Sequence, residues 1–550
     1  MDYAGGVSAG SATGGMSGTG PDAAIGTIRE VSGGGAVAVF DMPRLRRLAG
    51  HADESVATAG QVGSLVKVRV GSFWLLGNVR DARACDREAD RIVARLDFLG
   101  EGAIGSDGLA DFRRGVTRYP MPGDGVHPVD RADLARIFEG VDQPHVEIGT
   151  VYPTADVRAS LLIDGLLGRH FALLGSTGTG KSTSTALILH RIVAAAPEGH
   201  IVMLDPHGEY AAAFASTGTI LNVDNLELPY WLMNFEEHCE VFLTTEGAER
   251  EADADILAKC LLAARSKNRL AQTLGKLTVD SPVPYLLSDL LMQIVGQMGK
   301  LEKANDLSPY LRLKTKIEEL RSDPRYGFMF SGLLVTDTMA GFIAKLFRLP
   351  AEGRPISIVD LSGVPSDIVT VVVAVLSRLV FDYAIWSRNE PRRPILLVCE
   401  EAHRYVPSDR ATHGGAVRKV LERIAKEGRK YGVSLGLITQ RPSDLAEGVL
   451  SQCGTIIAMR LNNDRDQAYV RAAMPEGARG FLDSIPALRN RECVVCGEGV
   501  SIPIRVRLDD LAPHLRPASD DPSFSALWRE RGDETAILER TIHRWRNQGR

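Results

Sequence analysis

The segment Gly175-Ser-Thr-Gly-Thr-Gly-Lys-Ser182 constrains this chain more than any other feature. It is a complete GxxxxGK[ST] loop, directly after the apolar run Phe171 to Leu174 and directly before a helical run, Thr185 to Ala194. The loop needs that strand and that helix. Glycines let the backbone curl until successive N–H groups point inward, and a helix N-terminus adds positive potential for the same anion. Gly175, Ser176, Thr177, Gly178, Thr179, Gly180 and Thr183 are therefore read as a nucleotide cradle. Lys181 reaches the β and γ phosphate oxygens and Ser182 ligates Mg²⁺.

The rest of the chain supplies the sheet. Six short apolar runs, His170 to Leu174, Ile201 to Asp205, Ile356 to Leu361, Ile395 to Cys399, Ser434 to Thr439 and Thr455 to Leu461, alternate with helical segments. Continuous apolar strands joined by helices predict a parallel sheet buried on both faces. Within residues 235–332 helical periodicity takes over, as in Ile256, Leu257, Cys260, Leu261 and Ala264, which predicts a helical insertion. Ahead of the loop, Val66, Val68 and Val70 alternate with Lys67 and Arg69, and Ile92, Ala94, Leu96 and Phe98 alternate with Arg95 and Asp97. That period of two predicts a small half-buried β-barrel, closed by the rigid turn Tyr119 to Asp124.

The second chemical signal is Ile395-Leu-Leu-Val-Cys-Glu-Glu-Ala-His403, a strand that ends in two carboxylates. Beside a phosphate loop, Glu400 suits the Mg²⁺ shell and Glu401 suits a base that activates water. Two further strand ends carry polar residues. Gln440 follows Ser434 to Thr439 and is read either as a γ-phosphate sensor or as part of a turn; Asp205, with His207 and Glu209 behind it, has the same two readings. The segment Arg418 to Tyr431 holds six basic and two acidic residues and predicts a helix ending near Gly428. Arg423 and Arg429 on it are candidates to reach a nucleotide held by a neighbouring subunit, or else a solvated or DNA-contacting basic face.

Composition excludes other classes. A net charge of −5, from 64 basic against 69 acidic residues, rules out a protein that coats nucleic acid by bulk positive charge. Thr370 to Trp386 is apolar but broken by Arg378 and Asp382, so it reads as a buried helix and not a membrane span. The Gly-rich residues 1–24 lack a basic stretch followed by an apolar one, so they read as a disordered tail of a cytoplasmic protein. Seven scattered cysteines suit a reducing compartment, and Cys493 and Cys496 read as buried strand residues.

Together these stretches resemble the HerA family of hexameric DNA translocases, relatives of FtsK. The resemblance runs through GTVYPTADV (Gly149 to Val157), GRHFALLGSTGTGKST (Gly168 to Thr183), DPHGEY (Asp205 to Tyr210) and LPYWLMNFEE (Leu228 to Glu237). It continues through LLVCEEAHRYVP (Leu396 to Pro407), RIAKEGRKYG (Arg423 to Gly432) and ITQRPSDL (Ile438 to Leu445). It implies an α/β fold: a RecA-like P-loop ATPase core over 146–234 and 333–510, the helical insertion over 235–332, an N-terminal HAS-barrel over 25–145, and a C-terminal tail or brace over 511–550. It implies ATP and Mg²⁺ as cofactors, Glu401 as base, Gln440 as sensor, Arg169 as a conformational sensor and Asp205 as the second-strand acid. The trans-acting arginine is expected within Arg423 to Arg429, with Arg429 favoured. It also implies a homohexamer that draws double-stranded DNA through its channel. The stretch Pro407 to Gly415, with Arg410 and two glycines, reads either as a loop that contacts the DNA or as an ordinary surface loop. The expected partner is a separate nuclease such as NurA, or an antiviral effector protein. The rival reading is a ring-shaped ATPase scaffold that regulates an effector without moving DNA. A conjugation or secretion motor is weakened by the missing membrane segment.

Overall fold

The computed structural model describes residues 23–85, 88–105, 108–139, 142–299, 307–331, 336–409, 415–474, 478–518, 524–530, 532 and 534–546. Of the expected tail 1–24, residues 1–22 lie outside the described residues, as do Arg410 and the rest of 410–414 in the expected loop.

Seven strands form the N-terminal unit: β1 (Gly26–Val31), β2 (Gly35–Asp41), β3 (Leu65–Val70), β4 (Phe73–Ala84), β5 (Arg91–Gly105), β6 (Gly108–Arg114) and β7 (Gly125–Pro128). Their order is β2-β1-β7-β3-β4-β5-β6, and β2 also pairs with β5, so six strands close into a barrel and β6 is added outside β5. Phe40, Val66, Val68 and Leu96 fill its interior. The alternation holds on that inner face only. Lys67, expected to face water, is buried and pairs with buried Asp133 at 2.6 Å, because the helix Arg131–Phe138 covers the outer wall there.

The second sheet has eleven strands: β8 (His145–Val151), β9 (Arg158–Leu162), β10 (Phe171–Leu174), β11 (Ile201–Asp205), β12 (Gly218–Leu221), β13 (Ile356–Asp360), β14 (Ile395–Cys399), β15 (Val433–Thr439), β16 (Thr455–Met459), β17 (Glu492–Gly497) and β18 (Ile504–Leu508). The order is β12-β13-β11-β14-β15-β10-β16-β17-β18-β8-β9. The run from β12 to β16 is parallel, as the apolar pattern predicts. All six runs expected to be parallel lie in that part; from β16 to β9 the sheet is antiparallel, through strands that the expectation did not include. A strand buried on both faces reads the same whichever way its neighbour runs, so patterning alone does not reveal the reversal. Cys493 and Cys496 lie buried in β17, and burial pushes both thiols up to about 12, which keeps them protonated.

Between β12 and β13 the chain is helical, including Phe235–Phe242, Gly247–Ser266, Leu287–Met298, Ser308–Ser322 and Met339–Phe347. The helix Val369–Trp386 is long and apolar enough to cross a membrane by length and composition, and 61% of it is buried against the sheet and its neighbours. Its charged interruption is paired: Arg378 binds buried Glu237 at 2.8 Å and Asp382 at 2.9 Å.

The basic helix spans Gly415–Tyr431 and does not stop at Gly428. Gly428 is there for packing, since a Cβ at this position would meet the Val433 carbonyl oxygen at 2.8 Å. The helix ends instead before Gly432, whose φ of +81° reverses the chain into β15.

Candidate functional site

The loop runs from β10 into the helix Lys181–Ala195 at the carboxyl edge of the parallel strands. Gly178 and Gly180 have φ of +77° and +94°, which L side chains resist, and Gly180 caps the helix. Gly175 is needed for proximity: a Cβ there would lie 2.9 Å from that of Met459 in the neighbouring strand. The loop is tied down on both sides. Ser176 donates its backbone N–H to Arg460 at 2.9 Å, and Thr179 accepts that of Arg491 at 3.2 Å. Lys181 is buried, and Ser182 and Thr183 are half-buried at the start of the helix.

Glu400 and Glu401 follow β14 and both face Lys181. Its Nζ donates to Glu400 Oε1 at 3.3 Å and stands 3.7 Å from Glu401 Oε1. In an extended chain neighbouring side chains point to opposite faces. Glu401 avoids this by adopting the left-handed region, φ +50° and ψ +45°, so the chain turns and both carboxylates converge. Glu400 is 3% exposed, and burial pushes its carboxyl up to about 7 against the opposing pull of Lys181 and Tyr210. Glu401 Oε2 is buried without a hydrogen bond, although His403 Nδ1 lies 3.2 Å away. That nitrogen shares its hydrogen bond with Thr439 Oγ1 at 2.9 Å, and burial holds His403 below its usual range.

Gln440 leaves β15 at the other flank of the loop, where Thr177 Oγ1 donates to its Oε1. Together with Ser176, Arg441, Asn463 and Arg465 it lines a cleft of about 640 Å³. Asp205 lies at the end of β11 and is buried. Both its oxygens accept backbone N–H groups, from His207 at 3.2 Å, Gly208 at 2.9 Å and Tyr210 at 2.9 Å. Its carboxylate therefore organises a turn, and of the two sequence readings the turn is the one this geometry favours.

The arginines are elsewhere. Arg169 precedes β10 at the opposite end from the loop and stands 3.6 Å from Glu498. Four strand residues separate that end from the loop, roughly 13 Å. Arg423 is exposed over the Phe381 ring, 4.9 Å from its centroid, and 3.6 Å from Glu427. Arg429 lines a groove of about 1090 Å³ at the amino edge of the sheet, with Arg392 and Arg393. None of the three is brought to this chain's own loop.

The donor set fits a nucleotide with Mg²⁺. A helix N-terminus and a lysine await phosphate, while a buried carboxylate oxygen lacks a donor, which leaves about 1–3 kcal/mol unrecovered until one arrives. Ser182 and Glu400 are the residues that would hold the ion. Two contributors escaped sequence reasoning. Tyr210 donates to Glu400 Oε2 at 2.9 Å, and His403 stands behind Glu401. Each lies within a segment that sequence analysis singled out, yet no periodicity distinguishes them from ordinary core residues.

Residues 146–380 match the family described as the central domain of helicase HerA. The chain is 28% identical over 537 residues to the DNA double-strand break repair helicase HerA of Pyrococcus furiosus, covering 88% of this chain and 91% of that protein. It is 26% identical over 479 residues to a probable DNA double-strand break repair helicase HerA of Methanocaldococcus jannaschii, covering 81% and 92%. It is also similar to the solved structure of VirB4 of Thermoanaerobacter pseudethanolicus, at 15% identity and a TM-score of 0.48, over 68% of this chain and 98% of that one.

Proposed function

We propose that this chain, a P-loop ATPase whose residues 146–380 match the central domain of helicase HerA, is a member of that family and an ATP-driven translocase of double-stranded DNA. It works in the cytoplasm as a homohexamer with the duplex in its channel. The observation that carries the reading is the convergence of Glu400 and Glu401 on Lys181, because paired acids beside a P-loop suit sustained hydrolysis. Two relatives, one named a DNA double-strand break repair helicase and the other a probable one, support DNA as the substrate.

Lys181 leaves the two carboxylates for the β and γ oxygens when nucleotide enters the loop. Ser182 and Glu400 would hold Mg²⁺, which would supply charge neutralisation for the phosphate oxygens. Glu401 Oε2, the oxygen without a donor, accepts the proton of a water attacking the γ phosphorus, while the bond to the β–γ bridging oxygen breaks. Gln440 stands where the γ end of the nucleotide arrives and reports its loss. An arginine from the next subunit, Arg429 first, completes the site in trans. Its distance from this chain's own loop supports that role. A separate NurA-like nuclease or antiviral effector does the cutting.

The test is ATPase rate with and without duplex DNA over a series of salt concentrations, with native mass recorded alongside. Stimulation that fades with salt and a sixfold mass are expected. Turnover indifferent to DNA favours the scaffold and overturns the translocase.

A further inference from the structure

We propose that Tyr210 is a positioning residue for the ATPase site: its hydroxyl fixes the Glu400 carboxylate so that one chosen oxygen is offered to Mg²⁺. The inference rests on the ATPase reading above and deepens it.

The two oxygens of Glu400 are used differently. Oε2 accepts from the Tyr210 hydroxyl at 2.9 Å, and Oε1 faces Lys181 at 3.3 Å. When Lys181 moves to phosphate, Oε1 loses its partner and Oε2 keeps its own. The carboxylate then cannot rotate freely, and the vacated oxygen is the one available to a cation. Ordering a ligand through the hydrogen bond on its other atom is a general device in metal sites.

The tyrosine is itself held by a dedicated turn. Asp205 binds the backbone N–H groups of His207, Gly208 and Tyr210 around its own carboxylate, and so aims the ring back beneath the end of β14. Gly208 has φ +71°, a conformation that L side chains resist, and a Cβ there would press on Asp360 Oδ1 at 3.0 Å. The ring of Tyr210 is fully buried, and its hydroxyl also lies within hydrogen-bond reach of the Thr185 side chain on the loop helix. A phenol carries its proton in the neutral region, so the hydroxyl donates and the carboxylate accepts. One hydroxyl thus joins the β11 turn, the β14 acid and the helix that begins at Lys181.

Tyr210→Phe removes this hydroxyl and preserves the packing. Binding of a fluorescent ADP is measured in EDTA and then across a Mg²⁺ titration, without DNA, beside steady-state ATP hydrolysis and the thermal midpoint. The expected result is unchanged affinity in EDTA and a Mg²⁺ midpoint raised about 10-fold or more. kcat falls at limiting Mg²⁺ and recovers at high Mg²⁺, with KM for ATP unmoved. A Mg²⁺ midpoint equal to that of the parent chain would make Tyr210 a filler and overturn the proposal. So would equal losses of affinity in EDTA and in Mg²⁺, which indicate a damaged loop. The titration contains no DNA, so absent DNA stimulation overturns the translocase and leaves Tyr210 standing. A parent chain whose ADP binding ignores Mg²⁺ overturns both the site reading and this one.

Discussion

Glu401 carries the sharpest conflict between local preference and chemistry. A left-handed glutamate costs on the order of 1–2 kcal/mol, and at this residue the cost brings a second carboxylate to Lys181. Two substitutions separate its role from that of the lysine. Lys181→Ala should weaken nucleotide binding, whereas Glu401→Gln should bind ATP and hydrolyse it about 10²–10⁴-fold more slowly in a single turnover. Near-parent turnover in Glu401→Gln would transfer the base to Glu400. The loop, both acids and Gln440 were legible in the sequence because each follows an apolar strand at a fixed offset. The roles of Tyr210 and His403 were not, since they depend on distances between segments that no spacing encodes. His238 shows the same limit away from the site. It is buried, with Nδ1 donating to the Asn234 carbonyl at 2.7 Å and Nε2 accepting from the Tyr285 hydroxyl at 2.9 Å, and burial pushes it down to about 3. The unfolded chain binds this proton near pH 6.5 and the folded chain near 3. The stability it contributes is therefore full above pH 6.5 and lost as the pH falls toward 3. The thermal midpoint should drop steeply from pH 6.5 to 4, and His238→Gln should flatten that slope.

Helix ends and strand neighbours were the elements least visible beforehand. The helix Gly415–Tyr431 passes through Gly428 because tertiary contact, not helix termination, selects glycine there. A methyl group at Gly428 would press the helix off β15, so Gly428→Ala should cost about 1–3 kcal/mol, measured as the denaturant midpoint. Gly448, whose Cβ would meet nothing within 4 Å, is the control, and its alanine variant should be neutral or slightly stabilising. A loss at Gly448 equal to that at Gly428 would contradict the packing explanation. The same helix carries Arg429 to the amino edge of the sheet, the edge away from the nucleotide loop. If that arginine serves a neighbour, Arg429→Ala and Lys181→Ala chains that are inactive alone should regain turnover when mixed. Confirmed mixed rings without recovery would exclude Arg429, and recovery with Arg423→Ala in its place would move the assignment there. The reversal of β17, β18, β8 and β9 also belongs to this scale. β8 lies before the loop in sequence yet pairs with β18 near the other end, and an apolar pattern carries no record of so distant a partner.

At the scale of the whole molecule, the barrel and the ATPase core are joined by a shared apolar interior. Leu76, Leu99 and Leu109 from the barrel wall, and Val129, Leu134, Ile137 and Phe138 from the segment after it, belong to the same core as β10 and the loop helix. Polar contacts cross the same boundary: Arg114 donates to the Gly497 carbonyl at 3.0 Å, and the Gly480 N–H donates to Asp97 at 3.2 Å. A barrel built this way cannot be removed cleanly. Deleting residues 23–145 strips those seven side chains from the core, so the remainder should aggregate or lose nucleotide binding. Docking of a partner is therefore better tested by surface substitutions on the intact chain. Phe138→Ala isolates the joint itself. Its side chain is 3% exposed, so truncation should cost about 3–5 kcal/mol, and the cost should appear in the same thermal transition that nucleotide raises. A separate, nucleotide-insensitive transition in Phe138→Ala, or a soluble 146–550 fragment that binds ATP, would show that the barrel is an independent unit and that deletion is a fair test after all.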